Sequence, residues 1–300
     1  MFRRKIFRLR LPAVAGLPSR TLVLGERTLV MGVLNVTPDS FSDGGRYLDS
    51  NDAVARALEI ERGGADILDI GGESTRPGSE GITAEEELRR VLPVLKMLRG
   101  HIKIPISIDT SKSEVAEAAA NAGAEILNDV TALRADPRLA EIARRRKLPL
   151  ILMHMRGEPR TMQKKPFARD VVRDVAAGLR HAVAVARRAG VAKSQIVLDP
   201  GIGFGKSAAQ NFELLAKLHE FARLGFPLLV GTSRKSFIGR ALGSAQEGDR
   251  LWGTAATVAA SVLEGAHIVR VHDVAEMVQV VRVADAILNP AAIVAGPKSK

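Results

Sequence analysis

Polar side chains stand where eight short apolar runs of this 300-residue sequence end. They are carboxylates, amides and cations, the groups that bind and polarise ligands. In chain order they are Asn35, Asp69, Asp109, Asn128, His154, Asp199, Lys235, Arg270 and His272. Residues so far apart in the chain can act together only if the fold brings the ends of the runs to one place.

Four of these side chains suit a flat heterocycle. Asp109, Asn128, Asp199 and Lys235 together offer acceptors and donors, and a carboxylate can accept two N–H bonds from an amidine-like edge. For any one pair, such as Asp199 with Lys235, an internal ion pair is the simpler interpretation. Four polar strand ends in one place favour a ligand site.

A second group is cationic. Arg76, Arg270 and His272, beside glycine-rich loops and helix N-termini, suit a phosphate or pyrophosphate. Arg270 and His272 are two residues apart, so on a strand they would point the same way. Asn35 supplies a neutral oxygen that could complete the shell of a Mg²⁺ ion that keeps several waters.

Two long polar turns follow the first two runs and predict mobile lids, at residues 35–45 and 73–78. Residues 201–207 (GIGFGKS) are similar to a phosphate-binding loop, but their spacing is wrong for one. Of the six histidines, His154 stays open, and no metal-binding cluster is evident in the sequence.

The elements that must position these groups alternate along the chain. Short, almost continuously apolar runs predict strands buried on both faces of a parallel sheet. They cover residues 29–36, 65–70, 104–108, 125–130, 148–153, 196–198, 227–230 and 268–271. Helical patterns lie between them, at residues 51–62, 85–98, 113–121, 170–189, 209–221 and 250–263. Eight such units predict a single α/β (β/α)8 TIM barrel with its site at the C-terminal ends of the strands; an open doubly wound sheet is the alternative.

Composition narrows the classes of function. The formal net charge is +11, but six basic residues lie in the first twenty positions, and one Trp and one Tyr are too few for base stacking. A basic, poorly ordered tail is therefore predicted at residues 1–20, the barrel at 21–290 and a second tail at 291–300, with no nucleic-acid partner. No apolar run is long enough to span a membrane. The absence of cysteine fits a reducing cytoplasm.

Eight segments, in order, resemble the dihydropteroate synthase family, and the resemblance covers roughly residues 28–287. They are residues 35–45 (NVTPDSFSDGG), 69–78 (DIGGESTRPG), 108–111 (IDTS), 128–130 (NDV), 153–155 (MHM), 199–206 (DPGIGFGK), 231–237 (GTSRKSF) and 270–274 (RVHDV). The resemblance implies a barrel, a common homodimer, and the joining of a pterin pyrophosphate to para-aminobenzoate in folate biosynthesis. In that family sulfonamides compete for the para-aminobenzoate site.

The resemblance also implies roles for matched residues. Asp109, Asn128, Asp199 and Lys235 are similar to the pterin pocket, and Asn35 to the Mg²⁺ ligand. The pyrophosphate site corresponds to Thr75, Arg76, Arg270 and His272. The para-aminobenzoate side corresponds to the two lids with Pro77, Phe204 and Ser236.

The resemblance implies a dissociative route, in which pyrophosphate leaves before the arylamine attacks. Lys235 and Arg270 would act in catalysis, and Asp39 in the first lid would steady the cationic pterin. Two alternatives stay open: a pterin-binding methyltransferase on a related barrel, and a barrel that binds a pterin or an acidic partner without turnover.

Overall fold

The chain forms ten strands and nine α-helices in the part that the structure, a computed structural model, describes: residues 4–37, 50–74, 79–157, 162, 168–243 and 250–291. The elements are β1 (Phe7–Leu11), β2 (Arg20–Leu24), β3 (Leu29–Asn35), α1 (Ser50–Arg62), β4 (Ile67–Gly71), α2 (Ala84–Leu98), β5 (Ile106–Asp109), α3 (Ser113–Ala122), β6 (Ile126–Asp129), α4 (Arg138–Arg146), β7 (Leu150–Met153), α5 (Val171–Arg188), β8 (Ile196–Asp199), α6 (Ala208–Ala216), β9 (Leu229–Val230), α7 (Ser236–Leu242), α8 (Leu251–Leu263), β10 (Ile268–Val271) and α9 (Val274–Leu288). Two 3-10 helices, Lys193–Gln195 and Leu218–Leu224, precede β8 and β9.

Eight of the strands form one parallel sheet in the order β8-β7-β6-β5-β4-β3-β10-β9. A parallel bridge between Leu198 and Leu228 joins the two ends of this order, and the Leu198 N–H donates to the Pro227 carbonyl over 3.0 Å. The sheet is therefore a barrel, and the predicted TIM barrel with its eight strands is confirmed.

The six predicted helices are also present, within a few residues, although residues 209–221 divide between α6 and a 3-10 helix. Helix starts follow the local chemistry. The Thr83 hydroxyl accepts from the Glu86 N–H at the start of α2, and Ser207 and Gln210 form a capping box at the start of α6. Three further helices, α4, α7 and α9, were not predicted.

Successive side chains of each barrel strand point alternately outward, toward the helices, and inward, toward the barrel interior. Val30, Leu68 and Leu198 pack outward in the large cluster shared with the helices. Their neighbours Met31, Ile67 and Val197 point inward and form a separate cluster in the lower half of the barrel. Because a strand alternates its side chains, the residues two positions after these inward ones also face the interior, closer to the C-terminal rim.

The first twenty residues do not form the predicted basic tail. From residue 4 onward they are described, and β1 pairs antiparallel with β2 in a hairpin. Leu9, Leu11 and Leu24 of this hairpin are at most 2% exposed and belong to the inward cluster, so the hairpin covers the N-terminal end of the barrel. Burying a leucine side chain stabilises a fold by about 1.5–3 kcal/mol, which explains why the segment docks.

The basic residues of this segment have defined positions. Arg8 and Arg10 alternate with the buried leucines and are exposed. Arg4 forms an ion pair with Asp285 at 2.5 Å, and the Lys5 carbonyl lies 3.0 Å from Nε2 of His267. The predicted tail at 291–300 lies outside the described residues, except for position 291. None of the helices in the described ranges is both long and apolar enough to cross a membrane.

Candidate active site

Four polar residues share the inward register near the C-terminal rim. Asp109 ends β5, Asn128 lies in β6, Asp199 ends β8 and Arg270 lies in β10. The parallel register places Asp109 beside Asn128 and Met153 beside Asp199. Since all the strands run the same way around a closed sheet, residues separated by 161 positions along the chain reach one another here.

These residues line one cavity of about 430 Å³, a volume that includes the space open to solvent. Its lining residues are Asp109, Asn128, Val130, Met153, Asp199, Phe204, Gly231, Ser233, Lys235, Arg270 and His272. Seven of the residues that the sequence pointed to therefore meet in one place.

Arg270 bridges two carboxylates, of which Asp109 lines the cavity and Asp69 does not. Its Nε donates to Oδ2 of Asp69 over 2.6 Å, and its Nη2 donates to Oδ2 of Asp109 over 2.8 Å. Burial raises the pKa of Asp109 to about 7, with Arg270 opposing the rise and Asp69 adding to it. Charges on both acids raise the pKa of Arg270, against the effect of burial.

The amide of Asn128 has a defined orientation. Its Nδ2 donates to Oδ2 of Asp69 over 3.1 Å, and Asp69 is fully buried. Because one amide N–H is held by Asp69, Asn128 can offer its carbonyl oxygen and a second N–H to a ligand. Asp69 thus fixes two neighbours, Asn128 and Arg270, through a single carboxylate oxygen.

Asp199 and Lys235 both line the cavity, yet they do not form one of the ion pairs found among the described residues. Asp199 instead accepts the Gly201 N–H over 2.6 Å, and Lys235 Nζ donates to the Ile202 carbonyl. Burial raises the pKa of Asp199 and lowers the pKa of Lys235 to about 8, each charge opposing the shift of the other. The internal pair considered for these two residues is therefore not what holds them.

One wall of the cavity is apolar. Val130, Met153, Met155 and Met162 form a small buried cluster, and Phe204 packs against it. Lys235 Nζ lies 4.5 Å from the centroid of the Phe204 ring, a cation–π distance. Flat apolar surface next to polar strand ends suits a ring that is stacked on its faces and hydrogen-bonded at its edges.

A cationic edge lies beside this pocket. His272 and Ser233 both line the cavity, with His272 Nδ1 3.0 Å from the Ser233 hydroxyl. The Ser233 hydroxyl also accepts the backbone N–H of His272 over 3.2 Å. Arg270 lies two residues earlier, in β10, and lines the same cavity as His272.

Other predicted site residues lie elsewhere or cannot be placed. Asn35 is half-buried at the end of β3, beside Gly71, and it is not among the lining residues. Ser236 is exposed as the first residue of α7 and is also absent from the lining. The remaining predicted residues lie outside the described residues: Asp39, Thr75, Arg76 and Pro77.

Several lining residues were not assigned to the site from the sequence. Val130, Met153, Gly231 and Ser233 all follow or end apolar runs, which is the signal that could have found them. Asp69 was visible as a polar strand end, but its partner Arg270 is 201 positions away in the chain. Within the described ranges no three His, Asp or Glu side chains form a metal-binding group.

His154, left open from the sequence, is a packing residue. It follows β7 and is largely buried, and burial lowers its pKa to about 3. Its ring occupies the space beside Gly178 of α5, where an added Cβ would meet His154 Cδ2 at 2.5 Å. Its Nε2 lies 3.6 Å from Asp174 of the same helix, away from the cavity lining.

The closed parallel barrel and its polar C-terminal rim define a TIM-barrel enzyme whose site suits a ligand with a flat polar ring next to an anionic group. A family model described as "Pterin binding enzyme" matches residues 31–272. The dihydropteroate synthase of Synechocystis is 50% identical over 263 residues, 88% of this chain and 91% of that protein.

Solved structures agree with this match. A Xanthomonas albilineans dihydropteroate synthase with 4-aminobenzoic acid superposes with a TM-score of 0.86 at 44% identity, covering 94% of this chain and 99% of that one. A structure from the same organism with 7,8-dihydropteroate has a TM-score of 0.82 at 42% identity and covers 93% and 99%. The chain belongs to the dihydropteroate synthases, within the pterin-binding enzyme family.

Proposed function

We infer that this enzyme condenses 6-hydroxymethyl-7,8-dihydropterin pyrophosphate with para-aminobenzoate. The products are 7,8-dihydropteroate and pyrophosphate, a step of folate biosynthesis. The observation that carries this proposal is the meeting of Asp109, Asn128, Asp199 and Lys235 in one cavity whose edge holds Arg270 and His272. The relatives with 4-aminobenzoic acid and with 7,8-dihydropteroate support the same reaction.

The pterin binds at the polar strand ends. Its N–H edge donates to the carboxylates of Asp109 and Asp199, while Asn128 and Lys235 meet its remaining polar atoms. The raised pKa values of both acids reflect burial without enough positive partners. A ligand that brings N–H donors would supply such partners and favour the ionised carboxylates.

The pyrophosphate binds at the cationic edge, with Arg270 and His272 as partners. Thr75 and Arg76, which match the pyrophosphate-binding positions of the family in sequence, complete this site. Mg²⁺ would bind the side-chain oxygen of Asn35, and water and substrate oxygens would complete its shell. Asn35 is half-buried at the end of β3, and the described residues contain no group of three His, Asp or Glu side chains that could bind the ion instead. When bound, the ion supplies charge that stabilises the leaving pyrophosphate.

Para-aminobenzoate binds on the side of Phe204, with Ser236 and Pro77 as further contacts. Phe204 already forms part of the wall next to Lys235, and an aromatic acid can stack there. This placement brings the arylamine close to the pterin methylene carbon. Sulfonamides, which resemble the arylamine, would compete at the same position.

The reaction follows a dissociative substitution. The bond between the pterin methylene carbon and the pyrophosphate oxygen breaks, its electron pair leaves with pyrophosphate, and the amine nitrogen then forms the new C–N bond and loses a proton. Arg270 and His272 stabilise the leaving group, and Asp39 in the first lid steadies the cationic pterin. Positioning and electrostatic stabilisation carry such a reaction, so it needs no nucleophile–base triad.

We propose in addition a homodimer in the cytoplasm. Trp252 on α8 is 79% exposed, and Val283 and Ile287 on the neighbouring α9 are more than half exposed. Large exposed apolar side chains on adjacent helices are typical of a protein interface. The absence of cysteine from all 300 residues suits a reducing compartment.

One assay tests the function. Purified protein receives the pterin pyrophosphate, para-aminobenzoate and Mg²⁺, each omitted in turn, while pyrophosphate and dihydropteroate are measured. We expect both products in equal amounts only when both substrates are present. Methyl transfer from a methylated pterin, with no pyrophosphate released, would establish the methyltransferase instead. Pterin binding without any product would establish the non-enzymatic alternative.

A further inference from the structure

A buried ammonium group lies behind the apolar wall of the cavity. Lys206 is 3% exposed, and its Nζ donates to three backbone carbonyls. The acceptors are Gly201 at 2.7 Å, Phe204 at 3.0 Å and His154 at 3.2 Å. Three N–H donors meet three acceptors, so the hydrogen-bonding capacity of the ammonium is filled by main chain alone.

The loop around this ammonium can follow its path only because of its glycines. Gly201, Gly203 and Gly205 all have φ between +66° and +88°, the left-handed region. A Cβ on Gly201 would lie 1.9 Å from the His154 carbonyl oxygen, and one on Gly205 would lie 2.2 Å from that of Arg156. The backbone therefore wraps tightly enough to turn carbonyls toward a single point, where they would repel one another without a cation.

The opposite face of the same loop belongs to the cavity. Phe204 lines it, and its carbonyl is one of the three that Lys206 holds. Lys235 is tied to this loop twice, through the Ile202 carbonyl and the Phe204 ring. Lys206 therefore does not line the cavity itself, but the loop that it holds carries one candidate site residue, Phe204, and contacts another, Lys235.

We propose that Lys206 is a positioning residue whose ammonium replaces a bound cation at the centre of the 201–205 loop and thereby fixes the Phe204 ring and Lys235. The proposal rests on the proposed function for its kinetic readout. It concerns the arylamine side through Phe204 and the pterin pocket through Lys235, whereas Asp109 and Asn128 stand on strands that this loop does not support.

The surroundings disfavour the charge of this ammonium, so the carbonyls must stabilise it. Burial lowers the pKa of Lys206 to about 7, Asp199 opposes the shift, and the cations Lys235 and Arg156 add to it. Asp174 opposes it too, but it is already paired with Arg156. No carboxylate among the described residues is hydrogen-bonded to the ammonium, so the carbonyls are what hold the charge in place.

The experiment uses Lys206→Met, Lys206→Ala and, as a control, Lys217→Met, an exposed lysine on a neighbouring segment. Lys206→Met should raise the KM for para-aminobenzoate about tenfold or more, since small displacements of positioning groups cost up to about 10²-fold. Its affinity for 6-hydroxymethylpterin, measured by calorimetry, should fall as well, because Lys235 of the pterin pocket is held by the same loop. Lys217→Met should match the wild type in both measurements.

Chemical rescue separates a cation's role from simple packing. Lys206→Ala keeps Cβ, so propylammonium chloride supplies the three missing carbons and the ammonium. We expect a saturable recovery of kcat/KM with propylammonium and none with propanol, a neutral molecule of similar shape. If Lys206→Ala does not fold, the same two additives are compared for their effect on its refolding yield, with the same expectation.

Two results would overturn the proposal: an unchanged KM for para-aminobenzoate in Lys206→Met, or propanol acting as well as propylammonium. Failure of the proposed function is distinguishable from these. If the proposed function is wrong, the wild-type protein itself forms no dihydropteroate. If only the Lys206 proposal is wrong, the wild-type protein forms dihydropteroate normally and the variants give one of the results above.

Discussion

Replacing Arg270 by methionine would separate the electrostatic role of this residue from its packing. Methionine keeps much of the side-chain volume but removes the charge that neutralises Asp69 and Asp109. The two carboxylates would then face each other in a cavity where Asp69 is fully buried and the Asp109 side chain is 10% exposed. Breaking such a buried pair by removing one partner costs about 3–5 kcal/mol of unfolding free energy.

The pH dependence gives this prediction its sign. Asp109 has a folded-state pKa of about 7, above its ordinary value of 3.8, so folding binds a proton between these values and stability falls as pH rises. In the wild type that fall ends near pH 7. In Arg270→Met the pKa rises further, so the fall continues at about 1.4 kcal/mol per pH unit into the alkaline range.

Urea unfolding at pH 7, 8 and 9 measures both effects. The destabilisation of Arg270→Met relative to the wild type should be larger at pH 9 than at pH 7 by about 2 kcal/mol. Adding Asp109→Asn removes one of the two acids that lost their partner, so the double variant should show a smaller extra slope. Arg145→Met, at an exposed ion pair with Glu117, serves as the control and should cost less than about 1 kcal/mol.

The same variant tests catalysis. Losing one preorganised electrostatic partner of the leaving group should lower kcat about 10²–10³-fold, while the KM for para-aminobenzoate changes little. A destabilisation that does not vary with pH would refute the assignment of Asp109 as the coupled acid. Wild-type turnover in Arg270→Met would refute the role at the pyrophosphate.

Three further predictions concern other parts of the molecule. Leu9→Ala in the hairpin should lower the free energy of unfolding, measured in urea, by about 2–5 kcal/mol, whereas Ile6→Ala at an exposed position should not. Equal effects of the two substitutions would contradict the conclusion that the hairpin packs against the barrel interior. Lys112→Met should cost about 3–5 kcal/mol, because it strips the buried Glu87 of a 2.6 Å partner; if adding Glu87→Gln recovered none of this loss, the pair would not be its cause. Asn35→Ala should raise the Mg²⁺ concentration for half-maximal activity without weakening pterin binding, and an unchanged Mg²⁺ titration would remove Asn35 from the metal site.

The barrel was predictable because its strands are buried on both faces and therefore stand out as apolar runs. Polar residues at the ends of these apolar runs stand out as candidate site residues, which is why Asp109, Asn128 and Asp199 could be named from the sequence. Their partners could not. Which cation meets which acid depends on closure of the sheet, and Arg270 pairs with Asp69 and Asp109 rather than with a sequence neighbour.

The N-terminal hairpin was not predicted, because the basic charge of this segment indicated a tail although its periodicity indicates a strand. Residues 7–11 (FRLRL) alternate apolar and basic side chains, the pattern of a strand with one buried face. Short charged helices were missed for a related reason: α4 (RLAEIARRR) buries only Leu139, Ala140, Ile142 and Ala143. Tertiary packing, not local propensity, selects such a helix.

The hairpin has a consequence for how the protein is made. Lys5 meets His267 across 262 positions of sequence, so the hairpin is synthesised 262 residues before the part of the barrel that it contacts. At about 5–20 residues per second this interval is roughly 13–50 s. During that time Leu9 and Leu11 have no cover, and a chaperone that binds short apolar segments near the N-terminus would find its target there.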